Sequence, residues 1–299
     1  MTTMNDRPNT WNRHLRRIRE RFPDLSIQSV TLNQDGQYND VLIINEALVF
    51  RFARYPAAAE RLEREIDILK LLERYVTLPI PRPLFYDLEH DQQRMAFMGY
   101  PIIPGRPLWR HVFRQINIPE VLDNLAMQIA TFLRELHSVP LDVVRRLRLP
   151  LEDEAEAYAA MFTRVREDLF QYMRPEAQEG VTHHFEGFLQ NPGVSAFRPA
   201  LRHGDFGTSN LLWDPAMERL TGVVDFGDAG LGDAAVDFAG ILASFGHDFY
   251  TRCSDYYPEM RAAVSRARFY AGTFALQEAL HGLDTSDADA FGNGIAPYR

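Results

Sequence analysis

Cysteine and lysine are almost absent from this chain of 299 residues. The single cysteine, Cys253, excludes an internal disulfide framework, and we expect a cytoplasmic protein because a reducing compartment disfavours disulfides. Lysine and arginine together number 32, and Lys70 is the only lysine, which leaves 31 arginines. Any site elsewhere in the chain that ordinarily uses a lysine must therefore use an arginine.

Long apolar runs and an excess of positive charge are also absent. No apolar run approaches the ~20 residues that a membrane helix needs, and the basic amino-terminal stretch lacks the apolar core of a secretory signal. The formal net charge of −9 argues against general nucleic-acid binding, which needs clustered cations. An acidic protein is better suited to a cationic small molecule. We therefore predict a small-molecule ligand, with no nucleic acid, no membrane and no protein partner.

The spacing of apolar residues predicts two regions of different secondary structure. Residues 1–103 are expected to be mostly β and residues 104–299 mostly α, with the last 16 residues loosely held. Strands followed by helices indicate an α+β protein with a β-rich amino-terminal lobe and an α-helical carboxy-terminal lobe. The predicted elements are strands over 26–32, 40–52 and 94–103, a hairpin arm over 218–226, and helices over 9–22, 57–75, 119–137 and 153–190.

Three polar residues between positions 201 and 237 carry the chemical signal. Asp205 precedes Asn210 by five positions, and Asp225 follows 15 positions later, at the end of an apolar run. Phosphoryl transfer needs a carboxylate that accepts the acceptor's proton, and hard oxygen ligands that hold Mg²⁺ against the phosphates. The protein-kinase pattern supplies these groups in the same order, ending in a DFG tripeptide. The alternative is an Asx-rich turn followed by a strand-end aspartate.

With these residues the chain resembles the aminoglycoside phosphotransferase family. The segments HGDFGTSNLLWD and GVVDFGDAGLGDAAVDFAGI are most similar to the 2″-phosphotransferases, and the resemblance covers most of residues 26–283. It implies a bilobal protein-kinase-like fold, ATP or GTP with Mg²⁺ as cofactors, and a cationic acceptor such as an aminoglycoside. Related kinases for choline, homoserine or fructosamine share the motif, so a metabolic acceptor is the alternative.

The resemblance also implies roles for individual residues. Asp205 would be the catalytic base, and Asn210 and Asp225 would be magnesium ligands. Asp228, just past the DFG tripeptide, would face the ammonium groups of the acceptor. The remaining roles concern the nucleotide. Gly36 and Asn39 would belong to the loop 35–40 that covers the phosphates, and Glu65 would pair with the basic residue of the third strand. Backbone atoms near Tyr100 and Ile102 would contact the nucleobase.

Departures from the family pattern open a further alternative. Arg51 stands where the family has a lysine on the third strand, and the loop 35–40 contains a single glycine. Both features suit a nucleotide-binding protein that has lost catalysis. The dense acidic run of the 2″ enzymes after Asp237 is also missing, so the acids at 152–156 or Glu278 would contact the acceptor instead.

Other polar residues near the motif are interpreted as structural. His203 is expected to brace the loop through a hydrogen bond to backbone. Asp233 and Asp237 are expected to cap and brace the helix that follows them, because aspartate is a preferred residue at a helix start.

Overall fold

An antiparallel sheet forms the amino-terminal part of the computed structural model, which describes residues 7–33, 39–89, 96–151, 153–191 and 197–299. Its strands are β1 (Val30–Asn33), β2 (Asn39–Ile44), β3 (Leu48–Ala53), β4 (Phe85–Asp87) and β5 (Phe97–Pro101). They lie in the order β1-β2-β3-β5-β4. Two helices accompany the sheet, α1 (Arg7–Arg21) before it and α2 (Pro56–Leu72) between β3 and β4.

The β2–β3 hairpin turns through residues 45–47. Asn45 and Glu46 both have positive φ angles, 54° and 53°, and the amide of Ala47 donates to the carbonyl of Ile44 at 3.0 Å, which closes the turn. The side-chain oxygen of Asn45 also accepts hydrogen bonds from the amides of Gln28 and Ser29, at 2.8 and 3.1 Å. This turn fixes the register that places Arg51 opposite Val41.

Helix α2 starts at a proline and buries one face. Pro56 is its first residue, where the missing amide costs nothing. Leu62, Ile66 and Leu69 recur at helical spacing and are fully buried in the core. The proline-rich segment 77–83 follows the helix and cannot continue it.

Helices make up most of the rest of the chain, as the sequence predicts. Short strands in two small sheets support the loops between them, in the orders β6-β8-β9 and β10-β7. The strands are β6 (Arg106–Pro107), β7 (Ala200–Arg202), β8 (Leu211–Asp214), β9 (Arg219–Val223) and β10 (Gly230–Gly232). The helices are α3 (Arg110–Phe113), α4 (Pro119–His137), α5 (Leu141–Val144), α6 (Glu154–Arg164), α7 (Pro175–Leu189), α8 (Ala235–Phe245), α9 (His247–Tyr256), α10 (Glu259–Thr285) and α11 (Ala288–Ile295).

One apolar core runs from the sheet into the helices. Leu69 of α2 and Met98 of β5 belong to the same buried cluster as Phe132 of α4 and Phe226 after β9. The predicted α+β class is confirmed, with the five-stranded sheet before residue 103 and the long helices after it. The division into lobes at residues 103 and 104 stays a prediction. Among the described helices, none is long and apolar enough to cross a membrane.

The carboxy-terminal end is more ordered than the sequence predicts. Helix α11 packs along α10, and Ile295 is fully buried. A Cβ on Gly282 would lie 2.3 Å from the amide nitrogen of Phe291, so glycine permits this close approach. The expectation of a loosely held tail is wrong, because the contact depends on small residues of two helices and not on a long apolar pattern.

Candidate active site

The loop between β7 and β8, called the catalytic loop after the role that the resemblance implies for Asp205, presents Asp205 and fixes it through Asn210. The side-chain amide of Asn210 donates to the backbone carbonyl and to Oδ2 of Asp205, at 2.8 and 2.9 Å. Asn210 is buried, whereas Asp205 opens to solvent. The backbone carbonyl of Asn210 accepts from the amide of Val224 at 2.9 Å, which brings the loop beside the residue before Asp225. The structure thus brings the three motif residues into one site.

Asp225 adopts a left-handed backbone conformation, with φ of 63°. Aspartate tolerates this region better than most residues, yet the conformation persists only where the surroundings enforce it. Phe226 provides that enforcement, since its side chain is fully buried in the core. The carboxylate of Asp225 is 49% exposed and faces outward.

A buried ion pair links β3 to α2 and reaches Asp225. Arg51 Nη1 lies 2.6 Å from Oε1 of Glu65, and Arg51 Nη2 donates to Oδ1 of Asp225 at 3.1 Å. The same Glu65 oxygen accepts the amide of Phe226 at 3.2 Å. The pairing expected from the sequence is present, with an arginine fork spanning two carboxylates.

The charges of the site shift several pKa values. Partial desolvation by the surrounding protein raises the pKa of the Asp205 carboxyl, and the charges of Asp228 and Asp225 act in the same direction. Burial also tends to raise the pKa of Asp225, but Arg51 and other cations outweigh it and hold that pKa below its ordinary value. Tyr100 is buried beside Arg51, and burial raises its pKa to about 12. Asp205 is therefore the more basic of the two motif carboxylates.

Asp237 holds the backbone of the catalytic loop in place through hydrogen bonds. Its two carboxylate oxygens accept the amides of His203 and Gly204, at 2.8 and 2.9 Å, and Nε2 of His137 lies 3.0 Å from Oδ2. Asp237 is fully buried, and these contacts, together with the charges of the two histidines, hold its pKa low although burial opposes this. The sequence predicts only a helix brace here, because nothing in it links Asp237 to His137, 100 positions earlier.

The other residues interpreted as structural are placed as expected. His203 Nε2 lies 3.1 Å from the carbonyl oxygen of Val224, which braces the loop. Asp233 is buried at the start of α8, where its Oδ1 accepts a hydrogen bond from the amide of Ala235 at 3.0 Å. Its Oδ2 forms an ion pair with Nε of Arg266 at 2.6 Å.

Two glycines allow the loop to approach its neighbours. Gly204 has φ of 85°, and a Cβ there would lie 2.2 Å from the carbonyl oxygen of Asp228. A Cβ on Gly240 of α8 would lie 1.8 Å from the carbonyl oxygen of Phe206. Side chains at either position would push the loop away from its support.

The predicted nucleotide residues differ in their placement. Asn39 is buried at the start of β2, opposite Ala53. The amide of Ile102 donates to the carbonyl of Ala47 at 2.8 Å and so continues the pairing of β3 and β5 by one residue. Gly36 lies outside the described residues.

The predicted acceptor residues are not equally close to the loop. Asp228 is next to Gly204, and its carboxylate is paired with Arg61 of α2, a partner that the sequence does not suggest. Glu278 is exposed on α10. A cavity of about 280 Å³ adjoins the catalytic loop at Gly204, and from α10 it is lined by Phe274 and Gln277.

Acidic residue Glu154 forms part of the same cavity. Its carboxylate is buried and lies 2.6 Å from Nη1 of Arg202, and Tyr158 lines the cavity one turn later. The acids at 152–156 thus include a buried ion pair next to the loop, whereas Asp153 caps α6 by accepting the amide of Glu156.

Two hard oxygen donors are available for a magnesium ion. Both amide hydrogen bonds of Asn210 leave from its nitrogen, so its oxygen remains an acceptor. The hydrogen bond from Arg51 reaches Oδ1 of Asp225, whose side chain is 49% exposed. Oxygen donors of this kind suit Mg²⁺, which takes one or two protein ligands and completes its shell with phosphates and water. Within the described ranges, no cluster of three or more His, Cys, Asp or Glu forms a metal site. The donor set therefore fits a metal carried with a nucleotide.

Comparison with known proteins gives a consistent result. The family model described as "Phosphotransferase enzyme family" matches residues 29–278. Viomycin phosphotransferase of Streptomyces vinaceus is 31% identical over 274 residues, which cover 89% of this chain and 91% of that protein.

Solved structures extend the likeness. An aminoglycoside 2″-phosphotransferase solved with GDP and kanamycin superposes with a TM-score of 0.88 at 25% identity, over 96% of this chain and 97% of that one. A macrolide 2′-phosphotransferase shares the fold, with a TM-score of 0.77 at 19% identity over 99% of this chain and 98% of that one. The protein-kinase-like fold implied by the motifs is confirmed. The chain belongs to the phosphotransferase enzyme family.

Proposed function

We propose that this protein transfers the γ-phosphoryl group of ATP or GTP to a hydroxyl of a small cationic antibiotic, with Mg²⁺ bound to the nucleotide. The observation that carries the proposal is the joint arrangement of Asp205, Asn210 and Asp225. Asn210 orients Asp205, and Arg51 holds one oxygen of Asp225. Relatives solved with GDP and with ATP support the choice of nucleotide.

The nucleotide is proposed to lie between the sheet and the catalytic loop. Arg51 would contact the phosphates while Glu65 holds it in place, and Gly36 and Asn39 belong to the loop proposed to cover them. Backbone groups alternate in direction along an extended chain, and the amide of Ile102 is bonded within the sheet. Close to Tyr100 and Ile102, the carbonyl of Pro101 and the amide of Ile103 are therefore the groups proposed to meet the nucleobase.

Asn210 and Asp225 are the proposed magnesium ligands. When bound, the ion supplies positive charge that neutralises the phosphate oxygens. Asp205 is proposed to accept the proton of the acceptor hydroxyl. The hydroxyl oxygen then bonds to the γ-phosphorus, the bond to the bridging oxygen breaks, and the nucleoside diphosphate leaves with that electron pair.

The acceptor is proposed to enter beside Gly204. The net charge of −9 and the acids around the loop favour a cation. The relatives' names point to viomycin and to aminoglycosides as first candidates. Contacts of the acceptor with Asp228 and Glu278 stay predictions, as does the cytoplasmic location.

The test is a transfer assay with purified protein. Labelled ATP and labelled GTP are each incubated with viomycin, kanamycin, gentamicin and a macrolide, and with choline, a hydroxy-amino acid and a sugar. The Asp205→Asn variant is the matched control. We expect label on at least one acceptor with the unaltered protein and almost none with the variant. Transfer only to choline, a hydroxy-amino acid or a sugar would favour the metabolic alternative. Nucleotide binding without any turnover would favour lost catalysis.

A further inference from the structure

Helix α2 contacts the segment after β9 at two points one helical turn apart. Glu65 accepts the backbone amide of Phe226 at 3.2 Å. Arg61, four residues earlier on the helix, donates from Nη2 to Oδ2 of Asp228. Residues four apart share a face of a helix, so both side chains reach the stretch that begins with Asp225.

The Arg61 side chain packs closely over the backbone of this stretch because residue 227 is a glycine. A Cβ on Gly227 would lie 2.6 Å from Nε and 3.1 Å from Nη2 of Arg61, so the guanidinium crosses directly over that residue. On its other side, Asp228 packs against Gly204 of the catalytic loop. The Arg61 side chain is 19% exposed and that of Asp228 48%. The pair therefore joins α2 to the catalytic loop.

We propose that Arg61 and Asp228 form a clasp that holds residues 225–228 against α2 and so positions Asp225 for phosphoryl transfer. This inference rests on the proposed function. The guanidinium of Arg61 holds Oδ2 of Asp228, and Asp228 packs against Gly204, so its side chain is fixed between α2 and the catalytic loop. Arg61 and Asp228 are therefore positioning residues, and their loss affects the rate of transfer rather than the binding of the acceptor.

The kinetic test compares Arg61→Gln, Asp228→Asn, the double variant and Arg64→Gln. Arg64 is exposed on the same helix, so its variant removes the same charge without touching the clasp. We expect kcat to fall about tenfold in each single clasp variant, and no further in the double variant, because both lose one contact. The KM for the acceptor and the kcat of Arg64→Gln should stay within about twofold of the unaltered enzyme.

Two kinetic outcomes would overturn the clasp. If Asp228→Asn raised the acceptor KM severalfold at unchanged kcat, and Arg61→Gln did not, Asp228 would be an acceptor contact. Multiplying losses in the double variant would likewise contradict a shared contact.

Hydrogen exchange of the Phe226 amide and its neighbours gives a readout that needs no turnover. The clasp predicts faster exchange in both single variants, the same increase in the double variant, and no change in Arg64→Gln. Unchanged exchange in all four variants would overturn the clasp, whatever their activity. If exchange were faster in the clasp variants than in the unaltered protein, but the unaltered protein transferred no phosphate, the clasp would stand and only the proposed function would fail.

Discussion

The side-chain amide of Asn210 donates to both the backbone carbonyl and the carboxylate of Asp205. This leaves the amide oxygen of Asn210 as an acceptor, so a single residue orients the proposed base and offers a ligand to the metal. The base and the metal site are therefore coupled through one side chain. A substitution at Asn210 would disturb both.

Asp205→Asn should abolish most turnover and stabilise the protein near neutral pH. General-base catalysis is worth ~10²–10⁴-fold, so we expect a loss of that order in kcat. Because the folded-state pKa of Asp205 is raised, the folded protein favours the protonated form, and a neutral asparagine removes this cost above that pKa. Asparagine can still accept the hydrogen bond from Asn210. Initial rates and urea unfolding check the two effects, and a loss of only a few-fold would contradict the assigned role.

Asp237 should make stability depend on pH. Its pKa is lowered in the folded state, so its stabilising contribution is present above the unfolded value of about 3.9 and is lost as pH falls through the folded value. Asp237→Asn should lack this contribution and lose about 1–3 kcal/mol of unfolding free energy at pH 7. Urea unfolding of both proteins between pH 3 and 7 measures the difference. If the unfolding free energy of both proteins changed equally with pH, Asp237 would not be the source of the pH dependence.

Arg51→Lys should lower both the free energy of unfolding and the rate of turnover, although the family pattern has a lysine at this position. An ammonium group cannot reproduce the fork that places Nη1 on Glu65 and Nη2 on Asp225. We expect a loss of about 1–3 kcal/mol of unfolding free energy and a lower kcat. Arg64→Lys, on the exposed face of α2, is the matched control. A gain in both stability and rate would show that the arginine handicaps the site.

Gly240→Ala should move the catalytic loop. The added methyl would lie 1.8 Å from the carbonyl oxygen of Phe206, so helix or loop must shift, at a cost of about 1–3 kcal/mol. Turnover should fall with it. Gly187→Ala is the matched control, because a Cβ there meets nothing within 4 Å and a helix gains about 0.5–1 kcal/mol from the exchange. A harmless Gly240→Ala would contradict the close contact.

The sequence predicts the parts of the site that depend on local spacing. Asp205, Asn210 and Asp225 lie on a loop and a strand end that the pattern of polar and apolar residues identifies. The contact of Arg61 with Asp228 spans 167 positions, and it depends on how α2 packs against the segment after β9. No residue periodicity encodes that distance.

Other differences have the same physical origin. Strand β4 has three residues, Phe85–Asp87, too few for an alternating pattern to be distinct. Among the acids at 152–156, which the sequence offers as acceptor contacts, Glu154 is buried against Arg202, because β7 brings a guanidinium to the start of α6. In both cases tertiary packing decides the environment.

Lys70 lies in the last turn of α2, with its ammonium group 4.0 Å from the centre of the Tyr86 ring on edge strand β4. Apart from the chain's own α-amino group, it is the only amine in the protein. At a pH or with a blocking step that spares the α-amino group, an amine-reactive fluorophore would therefore attach at the sheet edge, on the helix that carries Arg61 and Glu65. Such a label could report movement of that helix during turnover while leaving every proposed catalytic group chemically unaltered.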